Sequence, residues 1–370
     1  MIRKQYHPLP CLSLLVASLL AASCGGDSGT TPGNGQEADP PTEAQATQPA
    51  AHALEGYTRA DSVEYPVVFR HADFDATPEE DRRVIVFHTE DGLHGWLQHE
   101  NTAASILLGE RLAELVPGVE AVILRGDFPD AELLERAATV VFFGNGTEHH
   151  AFNEEVVRER WRAVKESGVG AVGIHWALEA EDPEGEQLVA ETFGGFFELH
   201  YSVNPMWLGE FEEIPEHQIT RGIEPFKIYD EFYFNIRFPE ELPGTRTDIL
   251  TAVPPRRVIL LPEDGPRSNN EHVRASEGVP QVIAWTYERP SGGRSYSFCG
   301  THFHWCFKDD TYRRLMLQGI AWTAEIEIPE EGFEDRRPTD QEMMRHQDND
   351  AQEDWRPMPG QPPLDDPPGE

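Results

Sequence analysis

The chain is poor in cysteine, with four in 370 residues, and poor in positive charge, with 30 Lys and Arg against 66 Asp and Glu. The first scarcity excludes a disulfide-stapled scaffold. The second leaves a formal net charge of −36 with no basic runs. That argues against a nucleic-acid partner, because phosphate binding needs clustered Lys and Arg. Acidity of this size speaks to solubility and milieu rather than to fold. An N-terminal targeting segment followed by a stretch poor in large apolar residues, and a C-terminal stretch of the same poverty, leave about 270 residues between them, a length suited to one large α/β domain.

The N-terminal 23 residues read as a targeting segment. Arg3 and Lys4 precede an apolar stretch, Leu12 to Leu20, that is too short to span a membrane as a mature helix. Leu20-Ala21-Ala22-Ser23-Cys24 then offers a small-residue cleavage site ending in cysteine, which resembles a bacterial lipoprotein signal. An ordinary secretory signal cleaved nearby is the alternative, and both predict export. Acylation at Cys24, followed by Gly25 rather than aspartate, predicts a lipid anchor at the outer membrane of a Gram-negative cell. Residues 24–53 lack the apolar content to offset ordering entropy and read as a flexible tether. Residues 331–370 are acidic and Pro-rich and read as a disordered tail. The folded domain is expected over 54–330. Export permits a disulfide between Cys299 and Cys306, and unpaired thiols fit equally well.

Within the domain, strands alternate with helices. Strands are predicted at Arg83 to His88, Val119 to Leu124, Thr139 to Phe143 and from Gly168 toward His175. Helices are predicted at Thr102 to Leu115, Asp130 to Ala137, Asn153 to Ser167 and from Asp182-Pro183 to Glu191, the last closed by Gly194-Gly195. A hairpin follows around Pro290-Ser291-Gly292-Gly293, then an amphipathic helix from Asp309 to Ala324. This alternation implies right-handed crossovers and a parallel sheet covered on both faces.

Polar chemistry begins where buried strands should end. GVGAVGIHWAL, residues 168–178, delivers His175 at the carboxyl end of an apolar strand, where ligands bind in open α/β sheets. His94 and His99 follow the first strand, and Glu179 follows His175. Asp230-Glu231 sits among aromatics with Tyr233, which favours a paired or functional role over a solvated acidic turn. His302 and His304 alternate about Phe303, a pattern that suits a ligand pair, a substrate wall or simply a polar sheet face. His149-His150 reads as an exposed loop.

The stretch from Gly194 to Pro205, the Asp230-Glu231-Phe232-Tyr233 motif, and Gly292-Gly293-Arg294 through His302-Phe303-His304-Trp305 to Ile320-Ala321-Trp322-Thr323-Ala324 together resemble the trehalose-utilisation (ThuA-like) family. With His94, His99 and Gly173-Ile174-His175, the resemblance runs from 83 to about 330. It implies a class I glutamine-amidotransferase-like fold, a flavodoxin-like three-layer sandwich with a mainly parallel central sheet. Amidotransferases of that fold present a cysteine nucleophile on the turn after a central strand; here that turn offers His175, which disfavours cysteine-dependent glutaminase chemistry. The sequence departs from the family at Thr301, where glycine is typical, and at Cys306, where asparagine is common.

The family is associated with sugar catabolism, including oxidised (3-keto) disaccharides, so the expected partner is a small carbohydrate. The expected catalytic set is His175, Asp230, Glu231 and His302, acting as acid and base. His94, His99, Glu179, Asn204, Tyr233, His304 and Trp305 are expected to bind substrate. A variant places a divalent metal, Zn or Mn, on His175, His302 and either Asp230 or Glu231, giving a metal-dependent hydrolase or lyase. The contrasting expectation is a carbohydrate-binding or scaffold lipoprotein without catalysis. The sequence does not disclose an oligomeric state.

Overall fold

A computed structural model describes residues 54–261 and 265–365. The expected signal, the tether and Cys24 lie outside the described residues. The first half follows the predicted alternation: β1 (Val67–Arg70), β2 (Arg83–Thr89), α1 (Asn101–Leu115), β3 (Val119–Arg125), α2 (Ala131–Arg136), β4 (Ala137–Phe143), α3 (Glu155–Lys165), β5 (Gly170–Ile174) and α4 (Pro183–Phe193). The second half adds β6 (Met206–Phe211), β7 (Phe226–Glu231), β8 (Thr245–Ala252), β9 (Gln281–Glu288), β10 (Arg294–Phe298) and α5 (Asp310–Thr323).

Eight strands form one sheet in the order β1-β3-β2-β4-β5-β10-β9-β8, and β6 pairs with β7 apart from it. The β3-β2-β4-β5-β10 stretch is parallel, while β1, β9 and β8 join antiparallel at the flanks. Helices α1 and α5 pack on one face and α2, α3 and α4 on the other, which makes the expected three-layer sandwich. The central strands are apolar because both their faces are covered: Val84 to Phe87 and all of β5 are buried. Each such buried large side chain contributes about 1.5–3 kcal/mol.

Local chemistry sets the helix ends. The Asp182 carboxylate accepts the Glu184 and Gly185 N–H groups ahead of Pro183, and Gly194 at φ 75° ends α4. Asp309 caps α5 through the N–H groups of Thr311 and Tyr312. Helix α3 starts at Glu155 rather than at Asn153, because the Asn153 side chain accepts the Asp182 N–H (3.0 Å) instead of capping its own helix. The predicted hairpin is present, with Tyr287 opposite Ser295.

Two expectations fail. Residues 331–365, read from composition as disordered, lie packed on the domain. Met343 and Met344 are buried, Lys308 is held between Asp340 and Asp365, and the Trp305 indole N–H donates to the Pro362 carbonyl (2.7 Å). Polar composition predicts disorder only when nothing else supplies the buried contacts, and here the domain supplies them. His150 is buried rather than exposed, its Nε2–H donating to the Ala177 carbonyl (2.9 Å) and its Nδ1 accepting from Phe152 N (3.0 Å). Cys299 and Cys306 are free buried thiols.

Candidate functional site

The carboxyl ends of β2, β5 and β10 point to one side of the sheet, and β7 lies alongside the turn after β10. His99 comes from the loop after β2, His175 from the turn after β5, Glu231 from the end of β7, and His302 from the turn after β10. One nitrogen of each histidine and one Glu231 oxygen all lie within 4.8 Å of one another, and all four residues are buried. His99 Nε2 is 2.9 Å from His302 Nδ1. Glu231 Oε2 is 3.2 Å from His175 Nε2 and 3.3 Å from His302 Nδ1.

The proton positions follow from the partners. The Cys299 carbonyl only accepts, so the His175 Nδ1 that lies 3.0 Å from it carries the hydrogen, and Nε2 presents a lone pair toward Glu231. A lone pair facing a carboxylate at that separation requires a cation or a second proton between them. A histidine whose far nitrogen donates to a backbone carbonyl is the usual posture of a metal ligand. The Asn204 amide donates to Glu231 Oε1 (3.3 Å) and fixes the other end of the carboxylate. Burial pushes the Glu231 carboxyl up, but the close approach of His175 and His302 overcomes it and holds the group at about 2. Burial, reinforced by the neighbouring imidazoles, pushes His99 well below the ordinary histidine value. Glu231 and His99 thus favour their ligating forms, carboxylate and neutral imidazole.

The backbone at the cluster is unusual. His99 (φ 49°), His175 (φ 53°) and Thr301 (φ 83°) all adopt left-handed conformations that cost a non-glycine residue about 1–3 kcal/mol each. The Thr301 backbone is of the kind that glycine adopts at least cost. Gly146 is needed for close approach, since a Cβ would stand 2.3 Å from the Trp176 ring.

The remaining predicted residues divide into those around the cluster and those turned from it. His94 stacks on His99 (centroids 3.9 Å apart, 9° between planes), and burial together with the charge of His302 lowers it to about 4. Tyr233 is stacked on His175 (4.2 Å). Glu179 reaches the cluster through Trp176, whose indole N–H it accepts (3.0 Å) and whose ring edges toward His94 and His99. Arg267, which the sequence did not single out, donates to the other Glu179 oxygen (2.7 Å).

Asp230 does not join Glu231. The two alternate across β7, and the fully buried Asp230 accepts from Thr301 N (2.6 Å), Phe303 N (3.1 Å), Glu231 N (2.9 Å) and the Tyr312 hydroxyl (2.5 Å). With that many donors it anchors the His302 turn and faces away from the cluster. His304 turns away and donates to the Met343 carbonyl (3.0 Å), and Trp305 is fully buried, so neither lines a sugar site. Residues 302 and 304 part because the chain is not extended there: a 3-10 turn begins at His304.

A mainly parallel sheet in a three-layer α/β fold carries a buried histidine and carboxylate cluster at its carboxyl edge. The family model for trehalose utilisation, ThuA, matches residues 83–323, and the chain belongs to that family. No curated protein matches it. Among solved structures it is similar to ThuA-like proteins from Bacteroides uniformis (18% identity, TM-score 0.49, 67% of this chain and 92% of that one) and Parabacteroides merdae (16%, 0.44, 70% and 99%). It is also similar to PurLQS from Thermotoga maritima (9%, 0.37, 66% and 98%).

Proposed function

We propose that this ThuA-family protein is a metal-dependent enzyme acting on a sugar derivative, with one divalent transition metal held by His99, His175, Glu231 and His302. The observation that carries the reading is the lone pair of His175 Nε2 aimed at Glu231 in a buried cluster. The Glu231 contacts at 3.2 and 3.3 Å lie near the roughly 3.3–3.4 Å that tetrahedral zinc with bonds of about 2.0–2.1 Å sets between neighbouring donor atoms, and the whole set lies within 4.8 Å. Imidazole and carboxylate donors suit Zn and Mn.

The substrate class rests on the family's link to carbohydrate use, and a 3-keto glycoside fits the site's chemistry. An ion held by His99, His175, Glu231 and His302 would supply positive charge to a keto oxygen. A neutral imidazole at the rim, His94, takes the proton from the carbon beside the keto group. The pair freed from that C–H bond forms a C=C bond conjugated to the ketone as the glycosidic C–O bond breaks; the C–O pair leaves on the departing oxygen, which takes the proton from the His94 imidazolium. Export and lipidation at Cys24 belong to the same proposal, with the sugar met at the cell envelope. Among the described residues no helix is long and apolar enough to cross a membrane. Cys24→Ala is expected to release the protein from the membrane fraction.

The test is turnover of a panel of disaccharides and their 3-keto forms, before and after chelation and after metal is restored. Keto-substrate cleavage that is lost on chelation and recovered on reloading is the expected result. Chelator-resistant cleavage overturns the metal role, and binding of sugars with no product from any of them overturns catalysis.

A further inference from the structure

The matched family domain ends at residue 323, yet the chain beyond it is stitched to the loops that carry the site. We propose that Glu100, gripped by the C-terminal strap of residues 339–365, is the positioning residue for His99, and that the strap is thereby part of the site in this chain. The proposal rests on the metal reading above for its function, and on geometry alone for its mechanics.

The Glu100 carboxylate is buried beside His99 and ties two segments together. Oε1 accepts the Leu97 N–H (2.9 Å) from the His94-to-His99 loop and the Asn349 side-chain amide (3.2 Å) from the strap. Oε2 accepts the backbone N–H groups of Asp348 and Asn349. Asp348 returns the contact by accepting the Thr102 N–H (2.9 Å) at the start of α1. Leu97 and His99 both hold left-handed backbone, a conformation that persists only where surrounding bonds over-determine it. Glu100 supplies such a bond at Leu97, and the His302 carbonyl supplies another by accepting the His99 N–H (2.8 Å).

The strap also holds the second ligand-bearing turn. It receives His304 through the Met343 carbonyl, Trp305 through the Pro362 carbonyl, and Lys308 through Asp340 and Asp365. The N-terminal flank closes it from outside, with Gln347 N donating to the Thr58 carbonyl (2.8 Å) and Ala60 N to the Gln347 carbonyl (2.9 Å). Both turns that supply histidines to the cluster from outside β5 are therefore fastened to the same strap.

Glu100→Ala, Glu100→Gln and Asn349→Ala in the full chain test this, with Leu134→Ala in the core as a control for general destabilisation. Two readouts are taken on folded protein: zinc affinity by competition with a chromogenic chelator, and carbethoxylation of His99 by diethyl pyrocarbonate, mapped by mass spectrometry. Removal of a group that orients a ligand typically costs 10- to 100-fold in metal affinity. That loss is expected for Glu100→Ala, a smaller one for Glu100→Gln, which keeps one acceptor, and a smaller one again for Asn349→Ala. His99 labelling is expected to quicken in the same order and to stay at the wild-type rate in Leu134→Ala. Unchanged His99 labelling in Glu100→Ala overturns the positioning role whether or not the wild type binds metal. Unchanged affinity beside tight wild-type binding overturns it too, as does equal labelling in Leu134→Ala. A wild type without zinc affinity overturns the metal reading alone, since labelling still reports the loop.

Discussion

His99 and Glu100 are neighbours in sequence and both almost fully buried, yet they belong to opposite kinds of polar cluster. On the Glu100 side, four donors meet two carboxylate oxygens, and Lys308 is likewise matched by Asp340 and Asp365. On the His99 side, the His175 Nε2 and His302 Nε2 atoms are buried without a hydrogen-bond partner. A buried polar group without a partner costs about 1–3 kcal/mol, a cost that a fold retains where a ligand completes the set. The contrast lies between the charged groups of Glu100 and Lys308, which are matched, and His175 Nε2, which is not; around Glu100 the Asp348 Oδ1 and Thr102 Oγ1 atoms are also buried without a hydrogen-bond partner.

The comparison breaks most visibly at Lys308. Its ammonium is buried between two carboxylates, so Lys308→Met leaves Asp340 without its counter-charge, and breaking a buried pair of this kind costs about 3–5 kcal/mol. Denaturant unfolding should register that loss, while molecules still folded bind zinc. Equal loss of stability in Glu231→Gln would erase the distinction between the two clusters.

Acidity separates the clusters next. Burial, then the charge of Asp348, pushes Glu100 up to about 8; burial pushes Asp348 up to about 6, with Arg125 pulling it down and Asp91 pushing it up. Both lie above their unfolded values of about 4, so their contribution is fully present below about pH 4 and lost as pH rises through about 6 and then about 8. Glu231, held at about 2, contributes above its unfolded value and loses that contribution as pH falls from about 4 toward 2. Histidines held below their unfolded value of about 6.5, with His88, His94 and His150 at about 4, add stability as pH rises toward 6.5, so the melting temperature of chelated protein is expected to fall only above about pH 7, and Glu100→Gln to flatten that fall. A wild-type profile level above that pH contradicts this.

The smallest effect sharpens the strain argument. Thr301→Gly relieves a left-handed conformation and removes a buried hydroxyl without a partner, at a glycine cost of about 0.5–1 kcal/mol. A net stabilisation of about 1 kcal/mol is expected by chemical denaturation, and a destabilisation would show that Thr301 is not strained.

The sequence disclosed the half of the fold whose signals are local. Strands β2 to β5 and helices α1 to α4 carry period, caps and stops of their own, and His175 follows from the buried strand that delivers it. Strands β1, β6, β7 and β8 did not stand out, because each is short or pairs across a long loop and half its residues face outward. The Asp230-Glu231 pair was found, but not which member faces the cluster. That follows from the alternation of β7, and β7 itself was not seen. His99 was read as a substrate contact rather than a ligand because only the fold brings it within 2.9 Å of His302, 203 residues away. The strap was missed because composition reports what a segment brings to a core and not what the core offers it.

The central claim is that four side chains converge to hold one ion, and calorimetric titration of chelator-treated protein with Zn2+ tests it most directly. The expected result is saturable binding at one ion per chain in the wild type, lost in both His99→Ala and Glu231→Gln while the fold survives by circular dichroism. Absence of saturable binding in the wild type, or binding undiminished in both variants, would contradict it.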